Sequence, residues 1–245
     1  MCDPCRRGDF IICQVEKVTS IHFDGGYAEY VVVPAEAVAA IPDELPADMA
    51  APLMCAGITV YNSLRNAGAR AGDLVAVQGI GGLGHLGIQY SRQMGFRTVA
   101  IGRGGSDKEG LAKKLGAHEY IDSDAGAPAA ALQKLGGARV VLATAPDSKA
   151  ISSLIEGVAA GGKLLVVGVG AEPVSVMPIQ FVVPRRTIQG WPSGTAKDSE
   201  DTLSFSVLTG VRPMIERYPL EKVAEGYEQM MSGKARFRVV LTMGG

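Results

Sequence analysis

From Asp73 onward the sequence switches regularly between short apolar runs and helical spacing, and no other feature of this 245-residue chain limits its fold so tightly. The segments "DLVAVQG" (73–79), "RTVAIG" (97–102), 118–122, "ARVVLAT" (138–144), "GKLLVVGV" (162–169) and 186–190 read as strands. Between them, 83–95, 107–116, 127–135 and 147–159 read as helices. Strands separated by helices cannot pair as hairpins. The pattern therefore predicts an α/β fold with a doubly wound, six-stranded parallel sheet.

The first strand-to-helix turn carries the most specific chemistry. In "VQGIGGLGHLG" (77–87), Gly79, Gly81 and Gly84 stand as G-x-G-x-x-G, with Gly82 and Leu83 completing the loop. The first glycine permits a tight turn, the second lets a pyrophosphate approach the backbone, and the third allows the helix to pack closely on its strand. The helix N-terminus then offers unpaired N–H groups to phosphate. Such a motif is weak evidence alone. Here it follows a predicted strand and opens a predicted helix, which is the context that gives it meaning.

The end of the second strand discriminates between dinucleotides, because an acidic residue there would accept hydrogen bonds from a ribose 2′-hydroxyl. This chain reads "TVAIGRGGSDK" (98–108), with Gly102 and Arg103 in that place and Lys108 close behind. A small residue and a guanidinium suit a 2′-phosphate, so the sequence favours NADP, with NAD still possible. The competing reading is a solvated loop arginine, or one that stacks on adenine.

Three cysteines open the chain as C-x2-C-x7-C at Cys2, Cys5 and Cys13, while Cys55 stands alone in apolar company. Thiolate softness and this spacing suit a metal better than a disulfide framework. Tetrahedral structural zinc takes four ligands, so the expected fourth would lie before Met1. A lone apolar cysteine such as Cys55 ordinarily reads as an inert packing residue. The histidines at 22, 85 and 118 have no metal-ligand spacing and read as loop, packing or surface residues.

Charge adds exclusions. Twenty-four Lys and Arg nearly balance 25 Asp and Glu, which gives no bulk attraction to nucleic acid or anionic membrane. No apolar run approaches the roughly 18 to 20 residues that span a bilayer, and no leader pattern is visible, so the expectation is a cytoplasmic protein. Outside the sheet region, "GYAEYVVVP" (26–34) reads as a strand, 197–209 and 222–232 as helices, and 212–216 and "RFRVVLTM" (236–243) as strands. The expected organisation is 1–55, a sheet domain at 56–191, and a return segment at 192–245.

Four separated stretches, "CDPCRRGDFIIC", "APLMCAGITVYNSL", "GDLVAVQGIGGLGHLGIQY" and "LAKKLGAHEYID", together resemble the zinc-dependent alcohol dehydrogenases of the medium-chain dehydrogenase/reductase family. The resemblance runs the length of the chain. It implies a Rossmann sheet with remnants of a GroES-like, β-rich catalytic domain, and a homo-oligomer built through the sheet domain. It implies that Cys55 is a ligand of the catalytic zinc and that Thr59 packs near the nicotinamide. Cys2, Cys5 and Cys13 match the second, third and fourth ligands of a structural zinc. Arg238 is similar to an arginine that holds the pyrophosphate. Ala143 and Thr144 resemble the adenine edge of the cleft, and Val167, Gly168 and Val169 the backbone that reads the nicotinamide amide.

The implied reaction is hydride transfer between a primary or secondary alcohol, or an aldehyde, and the nicotinamide carrier, with zinc as Lewis acid. In that family a cysteine, a histidine and a proton-relaying hydroxyl precede the structural lobe, and none of these is found in this sequence. The expectation is a chain begun late, able to bind a dinucleotide and unable to oxidise alcohols. Its unpartnered apolar faces are expected to lower solubility. A dinucleotide-binding protein without catalysis and a zinc-independent quinone reductase remain the alternatives.

Overall fold

The computed structural model describes residues 2–244. The chain divides into two compact units, one formed by Met1–Ile58 with Pro192–Gly245 and the other by Thr59–Trp191. In the first, α1 (Asp3–Arg6) and a short 3₁₀ turn (Phe10–Ile12) carry the N-terminal cysteines. Helix α2 (Ala47–Pro52) runs into a π-helical turn (Leu53–Gly57) and then α3 (Ile58–Arg65). The 26–34 strand expected from sequence is absent: this stretch forms bends and irregular backbone, with Tyr30 89% and Val32 97% exposed. An apolar run becomes a strand only beside a partner that takes its N–H and C=O groups, and the described residues supply none here.

The second unit alternates strand and helix: β1 (Leu74–Gln78), α4 (Gly84–Gln93), β2 (Arg97–Gly102), α5 (Gly105–Lys114), β3 (Glu119–Asp122), α6 (Pro128–Lys134), β4 (Ala138–Ala143), α7 (Ser148–Ser153), β5 (Val158–Val166), α8 (Ile179–Val182) and β6 (Thr187–Gly190). The six strands form one parallel sheet in the order β3-β2-β1-β4-β5-β6. Strand order reverses between β1 and β4, so the loops after these strands flank the crevice where such sheets bind ligands. The central strands are buried on both faces: Val75, Ala76 and Val77 of β1 and Val140, Val141 and Leu142 of β4 are fully buried. Burying each larger side chain there contributes about 1.5–3 kcal/mol.

Helix α4 packs without a spacer. A Cβ on Gly87 would lie 3.1 Å from Leu142 Cδ2 and 3.3 Å from Val77 Cγ1, so only glycine lets the helix approach β1 and β4 this closely. Two neighbouring elements differ from the sequence expectation. Helix 147–159 ends at Ser153, and the strand expected at 162–169 begins at Val158 and ends at Val166. The early start is possible because the register shifts between Ala138 and Val140, with Gly161 at φ +68 and Gly162 against the carbonyls of Ala138 and Arg139.

The first unit closes with α9 (Ala196–Thr209), β7 (Ile215–Pro219), α10 (Val223–Met231) and β8 (Arg238–Thr242). Strands β7 and β8 pair in parallel, and Gly226 of α10 sits against Val239 and Tyr218. The strand expected at 212–216 lies instead at Ile215–Pro219. An ion pair joins Arg217 to Asp48, and Glu200 accepts the N–H of Ala40, tying the two stretches of this unit together.

Candidate cofactor and metal sites

Gly79, Gly81 and Gly84 of the turn after β1 differ in what a side chain would meet. Gly79 has φ +91, a conformation that side chains avoid. A Cβ on Gly84 would fall 1.8 Å from the Gly79 carbonyl oxygen, so the first turn of α4 rests directly on the loop. A Cβ on Gly81 would meet nothing within 4 Å. Packing therefore does not demand glycine at Gly81, and the open space beside its backbone is of the kind a pyrophosphate fills. The Leu83 carbonyl accepts the N–H groups of Leu86 and Gly87, which starts the helix.

Beside this loop lies a cavity of about 510 Å³ lined by Gly79, Ile80, Gly102, Arg103, Lys108 and Ala145, among others. It joins the loops after β1, β2, β3 and β4. Gly102 is confined, since a Cβ there would lie 3.3 Å from Ile80 Cδ1 and 3.4 Å from Tyr120 Cε2. Two cations, Arg103 and Lys108, and two carboxylates, Asp124 and Asp147, border the space. Arg103 Nη2 is 3.0 Å from Asp147 Oδ2. The Asp147 carboxyl is held below its ordinary range, chiefly by the N–H of Ala150 and also by the N–H of Lys149 and by Arg103.

The residues expected at the adenine edge behave differently. Ala143 is fully buried and Thr144 is buried, its hydroxyl donating to the Gln78 carbonyl at 2.7 Å, so neither lines the cavity and Ala145 does. The N–H groups of Val167 and Gly168 both reach the Ala143 carbonyl, at 3.0 and 3.1 Å. With exposed Val169 they line a separate concavity of about 370 Å³. A Cβ on Gly168 would lie 2.8 Å from the backbone of Thr144 and Ala145, so this glycine lets the loops after β4 and β5 touch. Sequence reasoning missed two supports. His85 is buried, its Nδ1 2.9 Å from the Gly81 carbonyl, and Gln78 Oε1 accepts the Ala145 N–H at 3.3 Å.

The N-terminal cysteines converge. Cys2 Sγ lies 3.5 Å from Cys5 Sγ and 3.9 Å from Cys13 Sγ, and all three are free thiols. Zn–S bonds of about 2.3 Å in tetrahedral geometry place thiolates about 3.8 Å apart, so the spacing fits one ion held by three sulfurs. The Cys2 thiol is lowered to about 7 by the backbone N–H groups of Gln14 and Cys5, while hydrogen bonding with Cys13 and Cys2 raises Cys5 to about 11. Cys2 therefore ionises before Cys5.

Cys55 is exposed on the π-helical turn, and Thr59 follows in the first turn of α3. Cys55 and Arg238 line a cavity of about 470 Å³ in the first unit, walled by Pro52, Tyr27, Tyr227 and Met230. Burial weighs against the Arg238 charge and proximity to Cys55 favours it. Among the described residues, Cys2, Cys5 and Cys13 are the one group of three potential metal ligands that converge, and Cys55 is outside it. The described residues do not provide the three-ligand set of a catalytic zinc at Cys55.

A parallel sheet in this strand order, with a glycine turn open to phosphate at its switch point, defines the class of dinucleotide-binding α/β proteins. A family model described as zinc-binding dehydrogenase matches residues 82–207. The alcohol dehydrogenase patD of Penicillium expansum is 46% identical over 242 residues, which cover 99% of this chain and 71% of that protein. An alcohol dehydrogenase of Geobacillus stearothermophilus is 37% identical over 243 residues, again 99% of this chain and 71% of that protein. The crystal structure of the alcohol dehydrogenase from the hyperthermophilic archaeon Aeropyrum pernix matches with a TM-score of 0.87 at 25% identity, covering 98% of this chain and 72% of that one. The chain belongs to the zinc-binding dehydrogenase family, among the medium-chain alcohol dehydrogenases. No helix among its described residues is long and apolar enough to cross a membrane.

Proposed function

We propose that the chain binds a nicotinamide dinucleotide at the turn Gly79–Gly84, NADP in preference to NAD, in the service of hydride transfer between a small alcohol or aldehyde and that carrier. One observation carries the reading: Gly81 opens onto free space while Gly84 is sterically closed, a combination that a merely tight turn does not need. The α4 N-terminus supplies N–H donors to the diphosphate. Arg103 and Lys108, with no side chain at Gly102, favour a 2′-phosphate. Roles for Thr59 and the 167–169 backbone beside the nicotinamide, and for Arg238 toward the diphosphate, rest on the family resemblance alone. The cofactor supplies the site that accepts or donates hydride. The residues of this chain bind it and fix its orientation.

Zinc is proposed at Cys2, Cys5 and Cys13, where it would brace the N-terminal lobe. At Cys55 the described residues do not fit a catalytic zinc. That observation favours a second reading, in which this polypeptide binds the dinucleotide and does not turn over alcohols. Titration of the purified 245-residue chain with NADPH and NADH, followed by nicotinamide fluorescence, tests the first reading. Saturation is expected with both and tighter binding with NADPH; a flat response to both refutes it. Reduction of NADP or NAD by simple alcohols, monitored at constant zinc, tests the second, and measurable turnover overturns it. Zinc content is expected to fall in Cys5→Ser and to stay unchanged in Cys55→Ser.

A further inference from the structure

We propose that Asp147 sets the balance between NADP and NAD by holding Arg103 in the cofactor-free protein, a reading that rests on the adenosine end of the carrier occupying the cavity beside Gly79. Asp147 follows β4 and Arg103 follows β2, and these strands lie on either side of β1. Adjacent strands are about 4.8 Å apart, so the side chains must reach across roughly two strand spacings to meet. They do meet, at 3.0 Å, and the pair bridges the loops that flank the glycine turn.

The two partners are not equally free to move. Asp147 Oδ1 accepts the N–H groups of Lys149 and Ala150, at 3.1 and 3.0 Å, as the cap of α7. Its other oxygen, Oδ2, is the one that takes Arg103. The carboxylate is pinned by a helix, whereas the Arg103 side chain is 69% exposed and hangs from a glycine-rich loop. A 2′-phosphate must therefore draw Arg103 off a fixed competitor, and it meets the repulsion of that competitor as well. NAD brings no such group and leaves the bridge intact.

The charge count around the cavity shows why one carboxylate matters. Arg103 and Lys108 are matched by Asp124 and Asp147, and Asp124 Oδ2 accepts the Gly104 N–H at 3.3 Å. The two carboxylates offset part of the attraction that the two cations hold for a nearly divalent phosphate, and removal of Asp147 tips the balance further toward it. Asp147 is thus a positioning residue for Arg103. It does not itself contact the phosphate.

Asp147→Asn isolates this role, because asparagine caps a helix as well as aspartate does, and Asp147→Ser is a second cap-preserving variant. Dissociation constants for NADPH and NADH are measured on the full chain by fluorescence, with a thermal melt confirming folding. Expected is a gain of about three- to tenfold for NADPH with NADH changed less than about twofold, and a smaller gain at high salt. Arg103→Ala is expected to remove the NADPH advantage and most of the gain from Asp147→Asn. If both carriers shift together, or neither shifts, in the folded variants, the assignment to Asp147 is wrong and cofactor binding stands. If neither carrier saturates even the unsubstituted chain, the nicotinamide reading itself fails and takes this inference with it.

Discussion

Gly81 and Gly84 stand three positions apart, yet a methyl group has opposite consequences at the two. Gly81→Ala adds a Cβ in open space, so the fold should survive with its melting temperature nearly unchanged while affinity for NADPH falls at least tenfold. Gly84→Ala drives a Cβ onto the Gly79 carbonyl and should lower the melting temperature before any ligand is added. Calorimetry paired with NADPH titration separates them. Tyr120 offers a contrasting case, because its hydroxyl is buried with no hydrogen-bond partner and burial raises its pKa. Tyr120→Phe should be neutral or stabilising by up to about 1–2 kcal/mol in urea unfolding. For Asp147 the pH sign follows from a depressed folded-state pKa: its contribution is complete above the ordinary carboxylate value of 3.8 and is lost as pH falls through the lower folded value. Melts between pH 6 and pH 2.5 should accordingly decline less steeply in Asp147→Asn than in the parent. The glycine spacing was visible in the sequence because it is local. The Arg103–Asp147 pair and the Thr144–Gln78 bond join positions 44 and 66 residues apart, and no local pattern announces them.

At the level of elements, legibility followed burial. The strands of the sheet were readable because β1 and β4 are buried on both faces and so must be apolar without interruption. The start of β5 at Val158 is hidden in the sequence because Gly161 and Gly162 look like a turn, whereas they carry a register shift inside the strand. The segment at 26–34 has the composition of a strand, but pairing is a property of two segments and cannot be read from one. Helix α9 shows how local chemistry can still fix a boundary. Its Thr195 hydroxyl accepts the Asp198 N–H, and the Asp198 carboxylate accepts the Thr195 N–H in return, a reciprocal capping box. Thr195→Ala should cost about 1 kcal/mol, measurable as a shift of the urea midpoint at unchanged slope.

Over the whole molecule, exposed apolar side chains concentrate in the first unit. Phe10, Ile12, Val15, Ile21, Tyr30 and Val32 are all exposed, in a region with little regular structure. Exposed apolar side chains in such numbers favour association. The purified chain should scatter light increasingly above micromolar concentration, and a Tyr30→Thr, Val32→Thr double variant should reduce that scattering without altering NADPH affinity. The same unit is assembled from the two ends of the sequence, whereas the sheet unit is one uninterrupted stretch from Thr59 to Trp191. A ribosome therefore delivers the sheet unit as a finished piece, able to fold while translation continues. The stretch up to Ile58, synthesised ahead of the sheet unit, must wait for the segment from Pro192 before Asp48 can meet Arg217. Its vulnerable interval, when chaperones or proteases can reach it, lasts at least as long as the ribosome takes to make the whole sheet unit.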